Sequence, residues 1–157
     1  MSIEENKALV RRYFEDAPYN PTACDEIFAD KIQWHALYHT PNPNFTSSPQ
    51  LEKEAYERHK MIWGKWVEHI VMMIAEGDMV MVHWMGRGTQ MHEYFGIPAT
   101  QKEVSFSGVY IFRITNEKIA EVWNMWDQVG EWQQLGVLPE TKEIIMNARE
   151  RILSDYS

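Results

Sequence analysis

The chain has a single cysteine, no Lys/Arg cluster denser than Arg11-Arg12 and no apolar run longer than Ile70 to Ala75. Each shortage closes a class of function. Cys24 alone cannot form an internal disulfide, and a chain without disulfides suits a reducing compartment, so a cytoplasmic location is expected. A formal charge of −8 without a basic patch would repel nucleic-acid phosphates and anionic lipid alike, so neither nucleic acid nor membrane is an expected partner. The apolar run is far shorter than the ~20 residues that span a bilayer. No basic segment followed by an apolar run precedes the first helix, as a secretory signal would require. Metal-ligand patterns are missing as well. There are six histidines, but no His-x-His and no Cys pair, and His35 and His39 fall on a strand and its following loop rather than on a helix. Gly86-x-Gly88 lies inside a strand and opens no helix, so it is not a phosphate loop. Ser105 and Ser107 lack a nucleophile elbow, and Cys24 sits among acids that raise a thiol pKa. No metal and no cofactor are expected.

What is present is apolar and aromatic. With 157 residues and 45% hydrophobic content, the chain suits one globular domain rather than two. Seven Trp, seven Tyr, six Phe and ten Met supply either a dense core or the walls of a pocket for a flat organic molecule. Ser2 and Glu5 form a capping-box pair ahead of Leu9, Val10, Tyr13 and Phe14, which recur at helical spacing. A short second helix follows the Asn20-Pro21 break and runs to about Ala29. Residues 32–38 alternate as a strand, and residues 40–49, with three prolines in ten positions, read as an irregular loop. Ser48-Pro49 then opens a third helix as N-cap and N1, with Leu51, Ala55, His59, Ile62, Trp63 and Trp66 on one stripe. Segments 67–75, 78–91, 103–114 and 118–127 are rich in β-branched and aromatic residues. With turns at Glu76-Gly77-Asp78 and Thr115-Asn116-Glu117 they predict an antiparallel meander. Helices grouped before strands argue an α+β fold whose sheet curls around the helices and leaves a cavity at its open end. The domain spans 1–138. Residues 139–157 form a C-terminal extension in which Ile144, Ile145, Ala148 and Ile152 mark an amphipathic helix, expected to pack on the sheet or on a partner subunit.

Four pieces occur in order along the chain: Gly96-Ile97-Pro98-Ala99-Thr100, Arg113-Ile114 with Lys118-Ile119, Asp127-Gln128-Val129-Gly130, and Gln134-Leu135-Gly136. Together they resemble the SnoaL-like polyketide cyclase family of the nuclear transport factor two-like superfamily, over about residues 5 to 138. The resemblance implies a cone-shaped α+β barrel, a curved antiparallel sheet wrapped around N-terminal helices, usually a homodimer through the sheet. It also implies an apolar pocket and a cofactor-free intramolecular aldol closure that uses one aspartate as acid/base. Aligned on Arg113, Lys118 and the segment from Gly130 to Gly136, that aspartate falls on Asn124, a family histidine on Tyr110 and a family glutamine on Gly108. An amide cannot take up and return a proton near neutral pH, so the aldol mechanism loses its acid/base here. Asp127 matches a second family aspartate, and its place ahead of a helix suits an N-cap, with a catalytic role as the alternative.

Alternation along 118–127 puts Val122, Asn124 and Trp126 on one face and Glu121, Trp123 and Met125 on the other. Extended to the neighbouring strands, the same parity lines a pocket with Trp84, Gln90, Phe106, Tyr110 and Phe112, and with Gln33 or His35 closing it from the first strand. In this arrangement Asn124 and Tyr110 donate hydrogen bonds to a carbonyl or enolate oxygen and His35 is the candidate general base. The expected ligand is a small hydrophobic aromatic or carbonyl compound, and the expected chemistry is cyclisation of the ester-cyclase type, isomerisation or hydration. The alternatives are a non-catalytic ligand-binding or sensor protein and a purely structural dimerisation module. Met79, Met81, His83 and Met85 alternate outward with too little charge for a solvated surface, so a homodimer is expected.

Overall fold

The first helix, α1 (Ile3–Glu15), starts where its capping box dictates. Glu5 N–H donates to Ser2 Oγ at 3.3 Å, and Ser2 N–H donates to Glu5 Oε2 at 2.7 Å. Leu9, Val10, Tyr13 and Phe14 are its buried face. The computed structural model describes residues 1–38 and 40–155, so His39 lies outside the described residues. α2 (Ala23–Ile27) ends at Phe28, which already belongs to strand β1 (Phe28–Ala36), earlier than the alternation predicts. β2 (Asn44–Ser47) lies inside the segment read as irregular. Pro41, Pro43 and Pro49 flank this short strand and do not interrupt it, which a strand at the edge of a sheet tolerates. α3 (Pro49–Ile62) follows with Ser48 as N-cap, its side chain accepting from Leu51 N–H.

The remaining elements are β3 (Trp63–Glu76), β4 (Met79–Gln90), β5 (Glu103–Thr115), β6 (Lys118–Trp126), α4 (Gln128–Leu135) and α5 (Thr141–Asp155). Six strands form one sheet in the order β2-β1-β6-β5-β4-β3. The meander β3 to β6 is antiparallel as expected, while β1 pairs in parallel with β6 and closes the wrap around the helices. Asn116 and Glu117 both take positive φ (50° and 62°), the conformation a two-residue hairpin loop needs to match strand twist. The concave face and the helices enclose the core, in which Tyr13 packs edge-on against Phe14, Phe28 and Phe112. The fold is thus α+β, with the curved sheet around the N-terminal helices.

Two apolar surfaces stay uncovered. On the convex face Val67, Ile74, Met85 and Met125 are exposed, beside half-buried Met79, Met81 and His83. The stripe of α5 does not pack on the sheet: Ile144, Ile145 and Ile152 are all exposed. No helix among the described residues is long and apolar enough to cross a membrane.

Gln90 latches the Gly/Pro loop that joins β4 to β5. Its Nε2 donates to the carbonyls of His92 (3.2 Å) and Ile97 (3.1 Å), and its Oε1 accepts from Thr100 N–H (3.1 Å) and Thr100 Oγ1 (2.6 Å). Gln90 is fully buried, so losing it strands these partners. Gln90→Ala is expected to destabilise the fold by about 2–4 kcal/mol in urea unfolding. A loss within experimental error would show that water or neighbouring groups replace the latch.

Candidate functional site

A cavity of about 470 Å³ opens between α1, α3 and the concave sheet. Three indoles, Trp34 of β1, Trp66 of β3 and Trp126 of β6, and three phenols, Tyr13, Tyr56 and Tyr110, wall it. Asn124, Glu52, Glu68, His59 and Ser47 are among its polar lining, and the exposed Tyr19, Leu51, Glu54 and Arg58 stand at its rim.

Each wall has a local cause. Tyr110 and Asn124 are partners across β5 and β6, so ladder register alone sets them side by side on the concave face. The Asn124 amide makes no side-chain hydrogen bond among the described residues and lines the cavity. Gly108, where the resemblance puts a glutamine, leaves room for the Trp84 ring, which a Cβ there would meet at 2.8 Å. Trp84 in turn stacks behind Tyr110 at 5.7 Å. Trp126 is fixed from behind, its Nε1–H donating to Glu131 Oε2 at 2.9 Å, while Tyr38 meets its ring edge-on. On β3 the register shifts between Gly64 and Val67, where Lys65 takes φ 56°, and this bulge turns both Trp63 and Trp66 inward. Gly86 and Gly88 on β4 receive the Trp66 indole; a Cβ on either would collide with its ring. Glu68, two residues further along the same face, follows Trp66 into the cavity.

No cation offsets the acids inside. Burial pushes the Glu68 carboxyl up to about 7, and the Trp66 Nε1–H, 3.3 Å from its Oε2, offsets only part of the rise. Burial also raises Glu52, against the pull of the Ser47 hydroxyl and of Trp34 Nε1–H at 2.9 Å. His59 is pushed down to about 4 by burial and is neutral at neutral pH. Burial holds the Tyr13, Tyr56 and Tyr110 hydroxyls well above their usual range, so they remain donors. Behind the wall, burial takes Glu131 to about 7 despite hydrogen bonding from Trp126 and Tyr94. Among the described residues no group of three or more His, Cys, Asp or Glu is placed to hold a metal.

Of the residues expected from the sequence, the structure brings Tyr110, Asn124 and Trp126 together at the cavity. Gln33 and His35 do not reach it. On β1 the larger apolar side chains, Ile32 and Trp34, take the inside, leaving Gln33 on Thr46 and His35 between Asn44 and Glu121, both at 2.8 Å, with its ring stacked on Trp123. Trp84, Phe106, Phe112 and Val122 face inward but are buried in the core beneath the helices, outside the cavity lining. Gln90 is the loop latch and not a ligand group. Asp127 is the N-cap of α4, accepting from Gly130 N–H at 2.9 Å, and stands outside the cavity. Sequence reasoning missed Trp34, Tyr13, Tyr56, Glu52 and Glu68, and it left His59 and Trp66 as core residues. The one local signal was a carboxylate set two residues from Trp66 and two from Ile70 on an otherwise apolar strand face.

A model of the SnoaL-like polyketide cyclase family matches residues 8–135. The chain belongs to this family. TsrD from Streptomyces laurentii shares 22% identity at a TM-score of 0.75, covering 88% of this chain and 99% of its own. AclR from Streptomyces galilaeus shares 18% at 0.72, covering 99% and 96%. A SnoaL-like polyketide cyclase from Agrobacterium tumefaciens shares 14% at 0.67, covering 86% and 99%. At these identities the likeness is one of fold. No curated protein matches the chain. Within this SnoaL-like cone the position that resemblance assigns to the cyclase aspartate holds the Asn124 amide, and the titratable groups lie elsewhere on the cavity wall.

The two carboxyls at about 7 make stability depend on pH. A glutamate in the unfolded chain titrates near 4.5, so between about 4.5 and 7 the folded state binds the extra protons. Stability is full below that window and falls as the pH rises through it. The melting temperature should therefore drop from pH 4.5 to 7 and then level off. For fully buried Glu131 the cost is on the order of 3 kcal/mol, and Glu131→Gln should flatten that share of the slope. A wild-type melting temperature constant across the window would contradict this placement of the carboxyls.

Proposed function

We propose that this SnoaL-like domain binds a small, flat, largely apolar molecule carrying a carbonyl group and performs cofactor-independent acid/base chemistry on it, of the cyclisation, isomerisation or hydration class. The observation that carries the reading is the cavity of about 470 Å³ itself, which three indoles enclose and into which a few unpaired polar groups converge. Its volume is in the range of small-molecule sites, and an aromatic wall with a few placed donors is how such sites bind planar ligands. Asn124 Nδ2 and the Tyr110 hydroxyl, neighbours across two strands, are the donors to the carbonyl oxygen. A second reading, a binding or sensor protein without catalysis, draws on the Asn124 amide, which cannot titrate.

We test the cone with 2-tetralone, a fused aromatic ketone, followed by quenching of tryptophan fluorescence. Wild type should bind it, and Trp126→Ala should weaken binding about tenfold or more while keeping a cooperative melt, because a cavity wall is already partly unpacked. Wild type that fails to bind, together with a Trp126→Ala chain that does not fold, would mean a filled core in place of a ligand site.

The working unit in this proposal is a homodimer joined through the convex face of the sheet, where Val67, Ile74, Met85 and Met125 would otherwise stand in water. Light scattering at micromolar concentration should give about twice the chain mass, and Met85→Lys should shift the population towards monomer. A clean wild-type monomer at that concentration would refute it.

A further inference from the structure

We propose that Glu68 is the proton-transferring residue of this cavity, and that its substrate is a ketone or dicarbonyl compound presenting an acidic C–H bond to Glu68 Oε1. The inference rests on the reading of the cone as a ligand site.

Among the described residues Glu68 is the cavity carboxyl that combines an interior position with an oxygen free of hydrogen bonds; Glu54 also lines the cavity, but it is exposed at the rim and Gln50 Nε2 donates to its Oε1 at 2.9 Å. Trp66 Nε1–H holds Oε2 at 3.3 Å, and Oε1 has no hydrogen-bond partner among the described residues. Glu52 differs: Trp34 and Ser47 both donate to it, it is almost fully buried, and it ties α3 to β1 and β2. Glu131 lies behind Trp126, outside the lining. The position of Glu68 is also built. The Lys65 bulge resets the strand, Gly86 and Gly88 fix Trp66, and Trp66 fixes the carboxyl, so its free oxygen is aimed by a packed indole. A base held in this way loses little entropy when it meets its substrate.

The surrounding groups suit the task. Tyr13 from α1, Glu52, Tyr56 and His59 from α3 and Tyr110 from β5 share its cavity, and the exposed Glu54 and Arg58 stand at the rim with half-buried Tyr38. With His59 neutral, no interior cation locks Glu68 in its charged form. Titrating near 7, it offers a carboxylate to take a proton and a carboxylic acid to return one. Glu68 and Tyr110 line the same cavity, and the Glu68 charge is felt at the Tyr110 hydroxyl.

The step balances within the cavity. The Glu68 carboxylate takes the proton from carbon, and the C–H bond pair becomes the enolate π bond. Tyr110 donates a hydrogen bond to the oxygen on which charge collects. In a ring closure the enolate carbon bonds to a second carbonyl carbon of the same molecule. The π pair of that carbonyl moves to its oxygen as an alkoxide, which takes the proton back from Glu68. No oxidant, reductant or second substrate is needed.

The experiment is deuterium exchange at the α-carbon of 2-tetralone in D2O, followed by proton NMR, with binding measured separately by tryptophan fluorescence. Wild type should speed the exchange with a rate that rises through an inflection near pH 7, since the carboxylate is the active form. Glu68→Gln keeps the shape and the acceptor for Trp66, so it should fold and bind tetralone, yet lose at least ~100-fold of the acceleration. Glu68→Asp, with a shorter reach, should keep the inflection and part of the rate. Exchange that Glu68→Gln leaves intact, or wild-type binding without exchange, overturns the assignment of Glu68 and leaves the binding cone standing. Wild type that does not bind tetralone at all overturns both.

Discussion

The Trp66 indole lies where two side chains would otherwise stand. Gly86 and Gly88, both on the concave face of β4, create a groove across one strand, and the ring from the neighbouring strand lies down in it. A Cβ at either position would lift the ring. With the ring seated, its Nε1–H points along β3 to Glu68, while the ring packs at a tilt against Phe106 at 5.3 Å and edge-to-face with His59 at 4.9 Å. The ring is therefore at once a piece of core, a cavity wall and the support of an ionisable group. A bulge at Lys65 makes this possible, because strict alternation from Trp63 would send residue 66 outward.

That arrangement stores a cost. Glu68 and Glu131 are carboxyls in apolar surroundings; Glu68 accepts from one indole N–H and Glu131 from an indole N–H and the Tyr94 hydroxyl, and none of these donors is a cation. Such groups weaken the fold at neutral pH, where their charged forms are poorly solvated. Glu131 supports Trp126 from behind, and Glu68 is presented to the cavity by Trp66, so both costs fall at the walls of one site.

The two uncovered apolar surfaces have a different character. The convex face of the sheet is methionine- and valine-rich and continuous across β3 and β4, whereas the α5 stripe belongs to a helix standing clear of the sheet. Neither borders the cavity. A substitution on either surface therefore leaves the cavity lining unchanged, and a substitution at the indoles leaves both surfaces unchanged.

Much of the fold was legible because the signals are local. A Ser2–Glu5 capping box, Ser48-Pro49 ahead of α3, Asp127 ahead of α4 and a left-handed Asn116-Glu117 turn each act within four residues, so the chain states them without help from the rest of the molecule. The inward set Val122, Asn124 and Trp126 was legible too, since β6 runs without a bulge where they stand. What the sequence alone did not decide is everything that depends on a shift of register or a distant partner. β2 exists because β1 offers an edge to pair with. Gln33 and His35 face outward because Ile32 and Trp34 carry more apolar area to bury. Gln90 is a latch because a loop ten residues away bends back to it. Glu68 enters the cavity because one bulge reverses the parity of β3 and two glycines on another strand receive its neighbour. Alternation is a local rule, but a single bulge inverts it, and only the packing of the whole cone decides where the bulge falls.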